Sequence, residues 1–284
     1  MKSTRPASFL ALVIIACCAG SVAAEEHEEA GALALGDSVV FGFITQAGHE
    51  YVNASNFIGS PEYVASMLDL DVANAGCPGE ATSSFLSATG ADHGCRAFRA
   101  AFPLHIAYSS TQMDFARSFL LGHRGVRLVT IGLGANDLFI LEDACAANPN
   151  PQLCTAAGLP TLLATVAANM ATILAELRAT GFGGVIVIVN YYSLDYSDPA
   201  GTGVTQLLNQ AITAPAQAFG AVVADVFTAF QKAVANPLVG GKTCNAGLLN
   251  ADPQNQALCD VHPSQSGQQL IAKTIARAYQ AASW

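Results

Sequence analysis

Four short stretches place a reactive or polar residue at the end of an apolar run or on a loop. The first is Ala32-Leu33-Ala34-Leu35-Gly36-Asp37-Ser38, in which a hydroxyl follows an acid. Taken alone, Gly-Asp-Ser is ordinary turn chemistry. The second stretch, from Asn74, ends in Pro78-Gly79, a turn glycine that leaves its backbone N–H facing outward. The third, Thr130-Ile131-Gly132-Leu133-Gly134-Ala135-Asn136-Asp137, sets an amide and a carboxylate in an apolar context. The fourth, Cys259-Asp260-Val261-His262-Pro263, carries an imidazole. These residue types have a joint chemical logic. A serine hydroxyl is a weak nucleophile until a base takes its proton, and histidine has a suitable pKa. Attack on a carbonyl creates an oxyanion, for which backbone N–H groups and an Asn amide are suitable donors.

The elements that must position these groups are legible as apolar runs. Strands are predicted over Ala32–Leu35, Val72–Ala75, Val126–Ile131, Gly184–Val189 and Ala221–Ala224. They are short and unbroken, as strands covered on both faces tend to be. Helices are predicted over Pro61–Leu70, Thr111–Leu121, Leu159–Thr180, Gly203–Phe219 and Ser264–Ala282. Pro61 suits a helix start and Gly181 a helix stop. Leu270, Ile271, Ile275 and Tyr279 form one face of the last helix. This alternation predicts an α/β fold with a parallel sheet covered on both sides. Ligands bind beyond the carboxyl ends of such strands. Ser38, Gly79 and Asn136 follow strand ends, and His262 is expected on a loop at a helix start.

The first 24 residues read as an export signal and not as fold. Lys2 and Arg5 precede an apolar run from Phe9 to about Gly20, and Val22-Ala23-Ala24 provides a cleavage site. That run is too short to span a bilayer comfortably. The alternative is lipidation, because Ile14-Ile15-Ala16-Cys17 resembles a lipobox and would anchor the chain through Cys17. Residues 25–284 suffice for one large domain. They carry ten basic and twenty-one acidic residues, a net charge of −11. That balance argues against nucleic acid, whose binding rests on Lys and Arg. The apolar stretch Leu159–Leu177 contains Asn169 and Glu176 and reads as a buried helix, so no stable membrane span is expected.

Six cysteines follow the signal: Cys77, Cys95, Cys145, Cys154, Cys244 and Cys259. An even count in an exported chain suggests three disulfides, in a secreted or periplasmic protein. Neighbour clustering favours Cys77–Cys95, Cys145–Cys154 and Cys244–Cys259. Free buried thiols are the alternative. No Cys-x-x-Cys pair points to a metal.

Taken in order, Gly36-Asp37-Ser38, Gly79, Gly134-x-Asn136-Asp137 and Asp260-x-His262-Pro263 resemble the four blocks of the GDSL/SGNH hydrolases. The resemblance spans residues 32 to about 275. It implies a flavodoxin-like three-layer α/β/α sandwich with a central parallel sheet of about five strands. It also implies a single catalytic domain over 25–284 and ester hydrolysis through an acyl-enzyme, with no metal and no cofactor. Within the family the chain looks most like secreted bacterial esterases and lipases with three disulfides. Ser38 would then be the nucleophile, and His262 the general base. Ser38 N–H, Gly79 N–H and the Asn136 amide would form the oxyanion hole. Asp37 would order the turn after the first strand.

One position departs from the family pattern. The acid commonly stands three residues before the histidine, which here is Cys259, while Asp260 stands two before. Three readings of Asp260 are open: it reaches His262, it leaves that role to a backbone carbonyl at Asp260 or Cys259, or it only caps the next helix. The implied substrate is a small-molecule or lipid ester. Phospholipase or acyltransferase activity at the same site is compatible. A non-catalytic binding protein on the same fold is the alternative from another class, although it has no need of the whole residue set.

Other features have plainer readings. His27, His49, His93, His105 and His123 lack ligand spacing. Gly132-Leu133-Gly134 lacks the third glycine of a dinucleotide loop. Tyr191 and Tyr192 would line the cleft or pack beside it. The aromatic stretch Phe41–Phe57 would form part of an acyl pocket or a packed surface loop.

Overall fold

The computed structural model describes residues 31–45, 48–255 and 258–283. The predicted signal peptide, with Cys17, and His27 lie outside them. In chain order the elements begin with β1 (Gly31–Gly36), α1 (Ser38–Phe41), α2 (Ser60–Leu68), β2 (Asp71–Asn74) and α3 (Thr82–Leu86). Next come α4 (Cys95–Ala101), α5 (Gln112–Gly122), β3 (Val126–Gly132), α6 (Ala135–Cys145) and α7 (Pro151–Ala179). Then follow β4 (Val185–Val189), α8 (Pro199–Thr213), β5 (Ala221–Ala224) and α9 (Val226–Ala233). The described part closes with β6 (Leu249–Ala251), β7 (Cys259–Pro263) and α10 (Gln265–Ala282).

The five predicted strands form one parallel sheet in the order β2-β1-β3-β4-β5. This is the flavodoxin-like order, and its direction reverses between β1 and β3. A crevice therefore opens beyond the carboxyl ends of those two strands. Side chains alternate across the sheet with period two. Leu33, Leu35, Val129, Ile131, Ile186 and Ile188 face one core, shared with Met113, Met170, Ile173 and Ile212 from α5, α7 and α8. Ala32, Leu128, Val187 and Val189 face the other, shared with Val64, Phe230, Ile271 and Ile275 from α2, α9 and α10. The result is the expected three-layer sandwich.

Element ends differ from the sequence reading for identifiable reasons. α7 starts at Pro151 and not at Leu159, because Asn150 caps it by accepting from Leu153 N–H and Pro151 suits its first position. Pro160 removes one donor inside the helix, which continues past it. By length and composition α7 is able to cross a bilayer, the one such helix among the described residues. Its Val166, Met170, Ile173, Leu174 and Leu177 are buried in the core, so it is covered on one face. α8 starts at Pro199, capped by Asp198, and stops before Pro215, which has no N–H to continue the ladder. Helices α1, α3, α4 and α9 are short, and their patterns are lost among the flanking loops, while α6 is as long as α5 but does not confine its apolar residues to one face.

The main correction concerns His262. The structure places it in a short strand, β7, and not on a loop. β7 pairs antiparallel with β6, and the Cys244–Cys259 disulfide ties its first residue back to the preceding loop. Cys77–Cys95 and Cys145–Cys154 are the other two disulfides. Replacing Cys244 and Cys259 together by Ala is expected to cost about 3 kcal/mol, for a closed loop of this length. Urea denaturation of the double variant against wild type measures it.

Candidate active site

The site begins where β1 meets β3. An added Cβ on Gly36 (φ +145°) would lie 2.0 Å from the Gly132 carbonyl oxygen, so only glycine allows this approach. Asp37 N–H then donates to the same carbonyl at 3.1 Å. Asp37 turns the chain into α1 by capping it, accepting from Val39 N–H at 2.9 Å. Its other oxygen accepts from the Tyr191 hydroxyl. Burial pushes the Asp37 pKa up to about 6, against the lowering effect of these hydrogen bonds. Ser38 is thereby the first residue of α1, where a backbone N–H has no intrahelical acceptor.

Ser38 Oγ lies 3.0 Å from His262 Nε2. His262 Nδ1 lies 2.7 Å from Asp260 Oδ2. The spacing of two is sufficient because β7 is extended, and residues i and i+2 of a strand share one face. Asp260 also accepts from the Thr45 hydroxyl at 2.6 Å and from Val261 N–H at 2.6 Å. Burial acts to raise the Asp260 pKa. The hydrogen bond and charge of His262, with the Thr45 and Val261 donors, outweigh it and hold the carboxyl at about 2. Tyr192 fixes the strand from the sheet side, donating to the Val261 carbonyl at 2.6 Å.

Across from this row stand the remaining donors. Gly79 has φ +86°, and a Cβ there would lie 2.4 Å from the His93 carbonyl oxygen. Gly79 C=O accepts from His93 N–H at 2.8 Å, and among the described residues its own N–H has no acceptor. Asn136 lies in the first turn of α6, buried, and donates one amide hydrogen to the Glu80 carbonyl at 2.9 Å. A side-chain amide has a second hydrogen. Asp137 turns away, accepting from Thr82 N–H and hydroxyl at 2.9 and 2.6 Å.

Ser38, Gly79, Asn136 and His262 all line one cleft of about 710 Å³. Its walls include Phe43, Phe98, Leu138, Phe139 and Leu208, with Glu142, Asp195 and Asp198 among the polar residues. Tyr191 and Tyr192 line it as well as packing under it. His93 is on the wall too, paired with Asp143 at 3.1 Å. His105 and His123 bond backbone carbonyls. Cys77, Glu80 and Cys95 lie within ligand distance of one another, but both sulfurs are joined in the disulfide.

Three residues of the site carry no sequence signal. Thr45 reaches Asp260 from within the aromatic stretch Phe41–Phe57, where nothing in the sequence marks this residue out. Gln112, on α5, accepts from Gly36 N–H at 2.5 Å and donates to the Gly36 carbonyl and Glu80. Glu80, buried behind Gly79, is pushed up to about 7 by burial, against hydrogen bonds from Ser84 and Gln112.

The chain belongs to the GDSL-like lipase/acylhydrolase family, whose model matches residues 34–270. No curated protein matches it. Among solved structures, it is similar to an alpha/beta hydrolase from the metagenome of Lake Arreo, Spain, at 14% identity and TM-score 0.54, covering 89% of this chain and 96% of that one. It is similar to a variant of an acetyl xylan esterase from Geobacillus stearothermophilus, at 16% identity and TM-score 0.52, covering 88% and 94%. A phospholipase A1 from Streptomyces albidoflavus gives 16% identity and TM-score 0.51, covering 90% and 98%. These likenesses show a shared fold.

Asp37 and Glu80 hold protons up to about 6 and about 7 in the folded protein, against ordinary values of 3.8 and 4.5. The folded state therefore binds more protons across that window, and their burial lowers stability as pH rises through it. Asp260 acts oppositely: its stabilisation is present above 3.8 and lost as pH falls through about 2. Unfolding free energy from urea titrations should fall from about pH 4.5 to about pH 8, and Glu80→Gln should flatten that decline.

Proposed function

We propose that this chain is a secreted serine esterase or lipase that hydrolyses carboxylic esters through an acyl-enzyme on Ser38. The observation that carries the reading is the row Ser38–His262–Asp260, at 3.0 and 2.7 Å, opening on a cleft with Gly79 and Asn136. In this reading His262 Nε2 takes the Ser38 proton as Oγ attacks the ester carbonyl. Asp260, ionised, stabilises the imidazolium through Nδ1 and holds its tautomer. The oxyanion is met by Ser38 N–H, Gly79 N–H and the second Asn136 amide hydrogen. His262 then gives its proton to the leaving alcohol, and the acyl group stays on Ser38. A water deprotonated by His262 attacks the acyl carbon, and Ser38 leaves with the proton. Each donor facing the oxyanion contributes roughly 10²–10³ in rate.

The apolar cleft walls suit an acyl chain. No lysine or arginine stands among the residues that line it, whereas Glu142, Asp195 and Asp198 do. An uncharged ester is therefore the proposed substrate, ahead of one bearing phosphate. Three disulfides suit an oxidising compartment. Together with residues 1–24 they support export, with cleavage after Ala24.

The test is a p-nitrophenyl ester series, acetate to palmitate, on wild type and Ser38→Ala. Wild type is expected to hydrolyse at least one length. Ser38→Ala should lower kcat by about 10⁴-fold or more with the far-ultraviolet circular dichroism unchanged. A folded Ser38→Ala that keeps wild-type turnover sinks the reading, as does a folded wild type inert toward every ester.

A further inference from the structure

We infer that Thr45 is a positioning residue that holds Asp260 on His262, a fourth member of the row. The inference rests on the proposed Ser38–His262–Asp260 chemistry. Its starting point is the carboxylate itself. Asp260 and His262 share one face of β7, two residues apart. One carboxylate oxygen, Oδ1, is already turned back to the adjacent Val261 N–H at 2.6 Å. Oδ2 is left for the imidazole.

A further constraint comes from the other end of the chain. The Thr45 hydroxyl donates to that same Oδ2 at 2.6 Å, across 215 residues of sequence. Oδ2 thus sits between two donors, Thr45 and His262 Nδ1, and its direction is set by both. Thr45 is itself held by the segment that leaves the nucleophile. After α1 the chain turns at Gly42, and Phe43 N–H donates to the Ser38 carbonyl at 2.9 Å. The Phe43 ring meets the His262 imidazole edge-on, with centroids 4.9 Å apart. Tyr51 stacks on Phe43 and donates to the Ile44 carbonyl at 3.1 Å. One segment therefore carries the nucleophile, walls the base and clamps the acid.

A hydroxyl donor to a charged group is worth more than one to a neutral group. Valine has nearly the shape of threonine and cannot donate. Thr45→Val is expected to lower kcat on the preferred ester by about tenfold while KM stays within about twofold, and Thr45→Ser should restore it. In the Asp260→Asn background, Thr45→Val should have no further effect. A second readout needs no turnover: the downfield proton resonance of His262 Nδ1–H. It should be sharp in wild type and Thr45→Ser and lost to exchange in Thr45→Val. An unchanged resonance in Thr45→Val, or equal losses from the Val and Ser variants, overturns the inference. Because this signal is read without ester, it separates failure of the clamp from failure of the esterase reading.

Discussion

The contact between Ser38 and His262 joins residues 224 apart in sequence, and the rest of the site depends on holding it. Nothing local can do so. β1 delivers Ser38 to the sheet's carboxyl edge, and β7 must be pressed against that edge from the far end of the chain. Several interactions do the pressing. β6 pairs with β7, and the Cys244–Cys259 disulfide anchors its start. The Tyr192 hydroxyl bonds the middle of the strand, and Asn250 bonds the Pro263 carbonyl at 2.9 Å. Behind it, Gln268 of α10 donates to the Val39 carbonyl at 3.0 Å and accepts from Ser60 N–H at 2.9 Å. The helix that follows the proposed base is thereby tied to the helix that carries the proposed nucleophile.

The donor side is built on a different device, a buried polar network. Gln112 bonds both backbone groups of Gly36, two residues before Ser38, and also reaches Glu80, one residue after Gly79. The Glu80 carbonyl in turn holds Asn136. The three proposed oxyanion donors are thus linked through bonds that are all inside the protein. Buried polar groups are costly unless paired, so a network this complete favours one arrangement over its neighbours. Burial keeps Glu80 protonated above its ordinary range, and the hydrogen bonds of the network act against that shift.

Short unbroken apolar runs locate the five strands of the sheet to within a residue or so. The positions of Ser38, Gly79 and Asn136 were legible for the same reason: each follows a strand end. Helix starts at Pro151 and Pro199 were missed where a capping Asn or Asp lay outside the apolar pattern. The strand identity of His262 was not legible, since β7 is short and exists through its partner and its disulfide. The roles of Thr45, Gln112 and Glu80 are not legible in the sequence, because each depends on contacts across tens to hundreds of residues. The spacing of Asp260 looked like a defect on a loop and becomes workable on a strand.

The account stands or falls on whether Ser38 is an activated nucleophile. A fluorophosphonate probe reports this without any assumption about the natural ester, because an activated serine displaces fluoride and keeps the phosphonyl group. Labelled protein would be digested and the modified residue identified by mass spectrometry. The account predicts one adduct, on Ser38, and its loss in His262→Ala. No adduct on the folded wild type, an adduct on a different serine, or full labelling of His262→Ala would contradict it.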